Sequence, residues 1–130
     1  MMVILGTGLA ACASPPESLG ADLDAGRESF GRICAACHGG GGQGASAPAL
    51  TGVLETFPDC ATQRQWITLG SERWKAEVGP NYGAPNKEIT AIMPSMESAL
   101  TDQEIRQVAA YERVVIAEGD AAAVLADCGL

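Results

Sequence analysis

The sequence of 130 residues has little histidine, little aromatic content and little positive charge. It contains one His, two each of Phe, Trp and Tyr, and 8 Lys and Arg against 16 Asp and Glu. The net charge of −8 argues against binding to nucleic acid and against electrostatic attachment to anionic lipid. The length predicts one small domain, and so few aromatic side chains leave room for a cofactor in its apolar core.

The run Cys34-Ala35-Ala36-Cys37-His38 has two thiols and an imidazole at the spacing that covalent attachment of c-type haem requires. The thiols can add to the two vinyl groups of one haem, while the histidine reaches the iron from one side. The motif therefore predicts one covalent haem c, with Cys34 and Cys37 as thioether residues and His38 as an axial iron ligand.

Two other interpretations of this motif are a thioredoxin-like redox pair and half of a zinc site. A thioredoxin motif follows a strand, whereas the residues before Cys34 have helical periodicity. A structural zinc site usually takes four Cys or His ligands, and the other cysteines are scattered singly at Cys12, Cys60 and Cys128. Both interpretations fit the sequence poorly.

The N-terminus resembles a bacterial lipoprotein signal, in which a short apolar stretch and small residues precede a cysteine. The resemblance implies that residues 1–11 are removed and that Cys12 is acylated. Residues 12–21 would then form a lipidated tether, followed by a domain at residues 22–130. A plain secretory signal is the alternative, because no Lys or Arg precedes the apolar stretch. Either signal implies export.

Cys60 and Cys128 remain once Cys12 is assigned to the lipid and the motif thiols to the haem. In an oxidising compartment these two cysteines are expected to form a disulfide that ties the end of the chain to its middle. Two buried free thiols are the alternative.

Capping residues and apolar periodicity predict three helices. The first is capped by Asp22 or Asp24 and leads into the haem motif. The second covers residues 59–70 between an Asp cap and a Gly stop, and the last begins at the capping box Thr101-Asp102-Gln103-Glu104. Residues 71–92 are predicted to combine a short helix with loop.

The second axial ligand has to be found among the methionines. His38 is the only histidine, so a bis-histidine haem and a second haem of the same type are excluded by counting. The two N-terminal methionines lie in the signal, which leaves Met93 and Met96. Met93 is preferred because Pro94 stiffens its loop, and Met96 is expected to fill the core.

From residue 22 to about residue 116 the chain resembles the class I c-type cytochromes. The residues that carry the resemblance are Gly26, Phe30, the CxxCH motif followed by Gly39, Pro48-Ala49-Leu50, Met93-Pro94, Leu100 to Ile105, and Ala110-Tyr111. The resemblance implies an all-α domain of three to five helices wrapped around one covalently attached haem. It also implies that the N- and C-terminal helices cross at Gly26, Phe30 and Tyr111.

The resemblance further implies how the haem is held. The carbonyl of Pro48 would accept a hydrogen bond from His38, and Leu50 would pack on the haem. The stretch before Met93 is longer than in compact members of the family, so the haem environment near the propionates is predicted only as a set of candidates: Trp66, Arg73, Trp74 and Tyr82. Core packing is the alternative for the tryptophans.

A haem with histidine and methionine ligands is six-coordinate and exchanges electrons without an open site for substrate. The expected function is therefore single-electron transport, with no enzymatic activity of its own, and the resemblance implies a respiratory chain as the setting. The resemblance implies partners such as a quinol-oxidising complex and a terminal oxidase. The lipid anchor implies the outer face of the bacterial cytoplasmic membrane or the periplasm. The alternatives are a fixed haem c subunit of a larger oxidoreductase complex, and a haem enzyme or sensor with a labile methionine ligand.

Overall fold

The computed structural model describes residues 17–130. The predicted signal peptide at residues 1–11, the predicted acylation site Cys12 and the first part of the predicted tether lie outside the described residues. Within the described part of the chain, no helix is both long enough and apolar enough to cross a membrane.

The fold is helical, which confirms the predicted all-α class. The helices are α1 (Ala21–Ser29), α2 (Ala35–His38), α3 (Val53–Thr56), α4 (Cys60–Glu77), α5 (Asp102–Tyr111) and α6 (Ala121–Cys128). π-helical turns at Phe30–Cys34 and Glu112–Ile116 connect α1 to α2 and extend α5. A short hairpin pairs β1 (Asn81–Tyr82) with β2 (Lys87–Glu88) in antiparallel register, Asn81 opposite Glu88.

Helices α1 and α5 cross at Gly26, as the family resemblance implies. A Cβ at Gly26 would collide with the carbonyl oxygen of Gln107 and would lie 2.8 Å from the Cβ of Tyr111, so only glycine fits. The rings of Phe30 and Tyr111 pack beside this crossing, with centroids 5.5 Å apart. The crossing aligns α1, and therefore the haem motif at its end, against the last long helix.

The start of α1 differs from the prediction. The helix begins at Ala21 with Gly20 in the capping position and no side-chain cap. The carboxylate of Asp24 instead accepts hydrogen bonds from the residues just before the helix, Ser18 Oγ at 2.6 Å and Leu19 N–H at 3.1 Å. Asp24 therefore stabilises the approach to the helix.

Helix α4 begins where the sequence predicts, but it continues beyond Gly70. The Asp59 carboxylate accepts a hydrogen bond from the Thr62 N–H at 2.7 Å, which makes Asp59 the N-cap. Gly70 has φ 67° and ψ 176°, so the helix kinks there and resumes to Glu77. The predicted stop is therefore a bend within a longer helix.

A disulfide between Cys60 and Cys128 joins the start of α4 to the end of α6. Their Cα atoms are 5.2 Å apart and both residues are fully buried. Asp127 adds a second link, since its Oδ2 accepts a hydrogen bond from the Cys60 N–H at 2.7 Å. With a sequence separation of 68, the bridge is expected to contribute about 4 kcal/mol by restricting the unfolded chain.

Candidate haem site

The candidate site is a mainly apolar cleft of about 270 Å³. Its wall includes the histidine segment (residues 34–50), α3, α4, the hairpin, a loop that we call the methionine segment (residues 89–96), and the start of the π-helical turn after α5. The predicted site residues on its wall are Cys34, Cys37, His38, Pro48, Leu50, Trp66, Tyr82 and Met93. The cleft thus brings together most of the residues singled out in the sequence.

The CxxCH motif spans the junction between a π-helical turn and α2. Cys34 ends the π-helical turn and is buried, whereas Cys37 and His38 lie on α2 and are more exposed. Both thiols are free and both line the cleft. Burial raises the pKa of the Cys34 thiol to about 12, with smaller contributions from the charges of Glu112 and Cys37. A reactive thioredoxin-type cysteine has a lowered pKa, so this shift disfavours the redox-pair interpretation.

The imidazole of His38 is oriented by a hydrogen bond to the main chain. Its Nδ1 lies 2.8 Å from the carbonyl oxygen of Pro48, the contact that the resemblance implied. Because a carbonyl only accepts hydrogen bonds, Nδ1 carries the proton and Nε2 keeps its lone pair for a metal. Such an acceptor also fixes the ring orientation and increases its basicity as a ligand.

The loop after the motif holds Pro48 in place through its own backbone. The N–H groups of Gly44 and Ala47 donate to the carbonyls of His38 and Cys37, at 2.7 and 2.9 Å, and Leu50 N–H donates to Gly42 at 2.8 Å. These bonds fold the glycine-rich loop back onto α2. The histidine segment is therefore organised by contacts among residues that are close in sequence.

Helix α4 holds the methionine segment. Ser71 N–H donates to the Met93 carbonyl at 2.9 Å, and Met93 N–H donates to Ser71 Oγ at 3.0 Å. Ser95 Oγ donates to the Thr68 carbonyl at 2.7 Å. A Cβ at Gly70 would lie 2.5 to 2.6 Å from backbone atoms of this loop, so the glycine permits the close approach. Met93 is thus positioned by the kink in α4 as well as by Pro94.

Both candidate methionines line the cleft and both are partly buried. They differ in their backbone contacts. Met93 is bonded in both directions to Ser71, whereas Met96 donates to the Ile67 carbonyl at 3.2 Å and starts the turn that leads towards α5. The Met96 carbonyl also accepts hydrogen bonds, from the N–H groups of Ala99 at 3.0 Å and Leu100 at 2.9 Å. Because both backbones are held, the choice of Met93 as the ligand stays a prediction.

The four candidates for the propionate environment separate into two pairs. Trp66 and Tyr82 line the cleft and stack on each other, with ring centroids 4.3 Å apart. Trp74 is buried away from the cleft, and its indole N–H donates to the Asn81 carbonyl at 2.9 Å. Arg73 lies outside the cleft and pairs with Glu77 and Glu97. Trp74 therefore packs in the core, the alternative left open for it, and Arg73 forms surface ion pairs, while a contact of either with the propionates stays a prediction.

A buried polar group on the cleft wall was not predicted. Glu112 and Gln63 line the cleft, 5% and 1% exposed, and Gln63 Nε2 donates to Glu112 Oε2 at 2.7 Å. Arg113, 3% exposed, donates to Gln63 Oε1 at 3.1 Å. Burial raises the pKa of Glu112 to about 8 despite the hydrogen bond from Gln63. The only sequence signal is the pair of charged residues Glu112 and Arg113 within the otherwise apolar stretch from residue 108 to residue 116.

The donor groups and the lining of the cleft fit haem c. Two free thiols and an oriented imidazole lie on one segment, a thioether lies on another, and apolar side chains form most of the wall. Comparison with protein families gives a matching result. The family model described as Cytochrome c matches residues 23–112, which is more than half of the chain and includes both ligand segments.

Proposed function

The chain belongs to the cytochrome c family, whose members transfer electrons with covalently attached haem c, and we propose that it is a monohaem carrier with His38 and Met93 as axial ligands. Cys34 and Cys37 would form the thioether bonds. The bound haem supplies an iron that cycles between the ferric and ferrous states. The protein holds it in an apolar cleft and limits access to the metal.

The observation that carries this proposal is the 2.8 Å contact between His38 Nδ1 and the Pro48 carbonyl. It leaves Nε2 free to bind the metal and holds the ring in one orientation. A surface histidine without a ligand does not require a fixed ring orientation with Nε2 left unprotonated. On a cleft wall beside two free thiols, this hydrogen bond supports the assignment of His38 as an axial ligand.

Met93 is the proposed sixth ligand because it lines the cleft, exchanges two hydrogen bonds with Ser71 and precedes Pro94, which stiffens its loop. A methionine ligand raises the reduction potential and closes the coordination sphere, so the iron exchanges electrons without binding substrate. This is the chemistry of a carrier. It disfavours a haem enzyme or sensor.

The cleft rim offers a place for electron exchange. Ala91 and Ile92 lie on the rim and are exposed, Ile92 to 77%. A small apolar rim on a protein with a net charge of −8 suits brief contact with a partner that has a basic docking surface. We propose respiratory partners, a quinol-oxidising complex and a terminal oxidase, outside the cytoplasmic membrane. Acylation at Cys12 would keep the domain near them.

A matched pair of variants tests the ligand assignment in the haem-loaded protein. Met93→Ala is expected to open the sixth position, so the reduced variant binds carbon monoxide rapidly at neutral pH. Met96→Ala is expected to leave the reduced spectrum and the resistance to carbon monoxide unchanged. The reverse pattern would reassign the ligand, and rapid binding by the unmodified protein would reject methionine ligation.

The membrane setting is tested separately. The mature protein from its native membrane is expected to have a mass that starts at an acylated Cys12, and proteins that co-purify after gentle solubilisation are expected to include a quinol-oxidising complex or a terminal oxidase. A mature mass that starts elsewhere would reject the lipid anchor. Stoichiometric retention in a single complex would favour a fixed subunit over a shuttle.

A further inference from the structure

Glu112 is a buried acid that lines the proposed haem cleft. It is the first residue of the π-helical turn that extends α5, and it is 5% exposed. Its Oε2 accepts a hydrogen bond from Gln63. The other carboxylate oxygen, Oε1, accepts no side-chain hydrogen bond from the described residues, and it keeps some exposure to solvent. The cleft that Glu112 lines is the space that the haem would occupy.

The orientation of Gln63 is set by Arg113. The Arg113 guanidinium can only donate, so it requires the oxygen of the Gln63 amide on its own side, at 3.1 Å. The amide nitrogen must then point at Glu112, which it reaches at 2.7 Å. Arg113 is itself fixed by the carbonyls of Phe57 and Pro58 at 2.7 and 3.0 Å. Glu112 therefore has a rigid neutral partner instead of a direct counter-ion.

The charged groups on neighbouring elements do not replace that counter-ion. Arg113 lies 3.8 Å from the carboxylate of Asp127 on α6, and the charge of Asp59 also acts on it. On the hairpin, Lys87 donates to Thr56 at 2.9 Å, and Glu88 is exposed. From α2 and the turn before it come Cys34, Cys37 and His38, which are bound to haem or iron in the proposed state. Burial thus dominates the ionisation of Glu112 and raises its pKa to about 8.

We propose that Glu112 couples a proton to the electron that this protein carries. The inference rests on the proposed function. On reduction, the ferric haem takes one electron from the donor redox protein and Glu112 takes one proton from water. On oxidation, the electron passes to the acceptor and the proton returns to water. On reduction an O–H bond of water or hydronium breaks and the O–H bond of the carboxyl group forms, and oxidation reverses this exchange.

The physical reason is the change of charge beside a buried carboxylate. Ferric haem has one more positive charge than ferrous haem, and that charge stabilises ionised Glu112 at close range and low dielectric. Reduction removes this stabilisation, so protonation becomes more favourable. Because such coupling is reciprocal, protonated Glu112 must also raise the reduction potential.

The test is the reduction potential of the haem-loaded protein as a function of pH. The potential is expected to fall as pH rises across neutral to alkaline values, with a slope of up to about 59 mV for each tenfold change in proton concentration. Glu112→Gln keeps an oxygen that can accept from Gln63 but has no proton to exchange. It is expected to show a flat profile in this range, close to the wild-type potential at acid pH and above it at alkaline pH. Glu88→Gln, a cleft-wall carboxylate that is exposed, is the matched control and is expected to retain the wild-type slope.

A slope that persists in Glu112→Gln would assign the proton to another group, such as a haem propionate, and would overturn the proposal. A flat wild-type profile would overturn it as well. If the variant failed to retain haem, redox-difference infrared spectra of the wild type would decide: a protonated carboxyl band is expected to appear on reduction, and its absence would count against Glu112. The carrier function is judged separately, by a reversible one-electron couple and a visible spectrum that does not change across the pH range. Both are expected whether or not the potential depends on Glu112.

Discussion

The histidine segment and the methionine segment of the cleft are built in different ways. The histidine segment is organised by short-range contacts, such as His38 with Pro48, and by the adjoining loop backbone. The methionine segment is held by α4, more than twenty residues earlier in the chain, through Ser71 and the kink at Gly70. The difference predicts that disturbance of α4 affects methionine ligation first and leaves the histidine in place.

The largest expected effect comes from removing the disulfide that anchors the start of α4. Replacing Cys60 and Cys128 together by alanine is expected to lower the free energy of unfolding by about 4 kcal/mol in denaturant titrations, because the unfolded chain loses a long closed loop. Carbon monoxide binding by the reduced variant is expected to begin at lower denaturant concentration than loss of helix. If carbon monoxide binding began only at the denaturant concentration at which helix is lost, the proposed difference between the segments would be contradicted. Alkylation of both cysteines in the non-reduced wild type would contradict the disulfide itself.

Gly70→Ala is the next most severe change. The added Cβ would meet backbone atoms of Pro94 and Ser95 at 2.6 and 2.5 Å, and φ 67° is unfavourable for alanine. Together, overpacking and backbone strain are expected to cost about 3 kcal/mol in thermal or denaturant unfolding and to open the sixth iron position.

Gly20→Ala is the matched control for this change. Gly20 also has a positive φ of 98°, but a Cβ there would meet nothing within 4 Å. We expect a cost of about 1 kcal/mol from backbone strain alone, with methionine ligation intact. If the two substitutions lowered the free energy of unfolding equally, the close approach of Gly70 to the methionine segment would contribute nothing to the cost of Gly70→Ala.

The contact of Gly70 with the methionine segment joins residues that are far apart in sequence, and this distance explains which parts of the molecule were predictable. The haem motif, the Asp59 cap and the capping box at Thr101, which the structure retains in full, depend on residues close in sequence. Gly70 was expected to end a helix, because nothing nearby in sequence indicates that a distant loop would pack against it. The burial of Glu112 was missed for the same reason, since its partner Gln63 comes from another helix.

Ser71→Ala tests the hydrogen bond to the methionine segment with a smaller perturbation. The substitution leaves the Met93 N–H without its acceptor in a partly buried position and is expected to cost about 1 to 2 kcal/mol, measured by denaturant unfolding. It should also speed carbon monoxide binding to the reduced protein. Ser46, an exposed residue of the histidine segment that lines the cleft, has no side-chain hydrogen bond within residues 17–130. Ser46→Ala should therefore change neither quantity, and a comparable effect there would remove the special role of Ser71.

The two tryptophans provide the smallest and most selective comparison, because both lie on α4 but only Trp66 faces the cleft. Trp74→Phe removes an indole N–H that donates to the Asn81 carbonyl in a partly buried position, so it is expected to cost about 1 kcal/mol of stability without shifting the reduction potential. Trp66→Phe leaves the stack on Tyr82 largely intact and is expected to shift the potential with less effect on unfolding, because it alters the surroundings of the haem. Potentiometric titration and denaturant unfolding of the same two samples separate the effects. A shift in potential from Trp74→Phe alone would mean that the cleft-facing surface of α4 has been assigned to the wrong tryptophan.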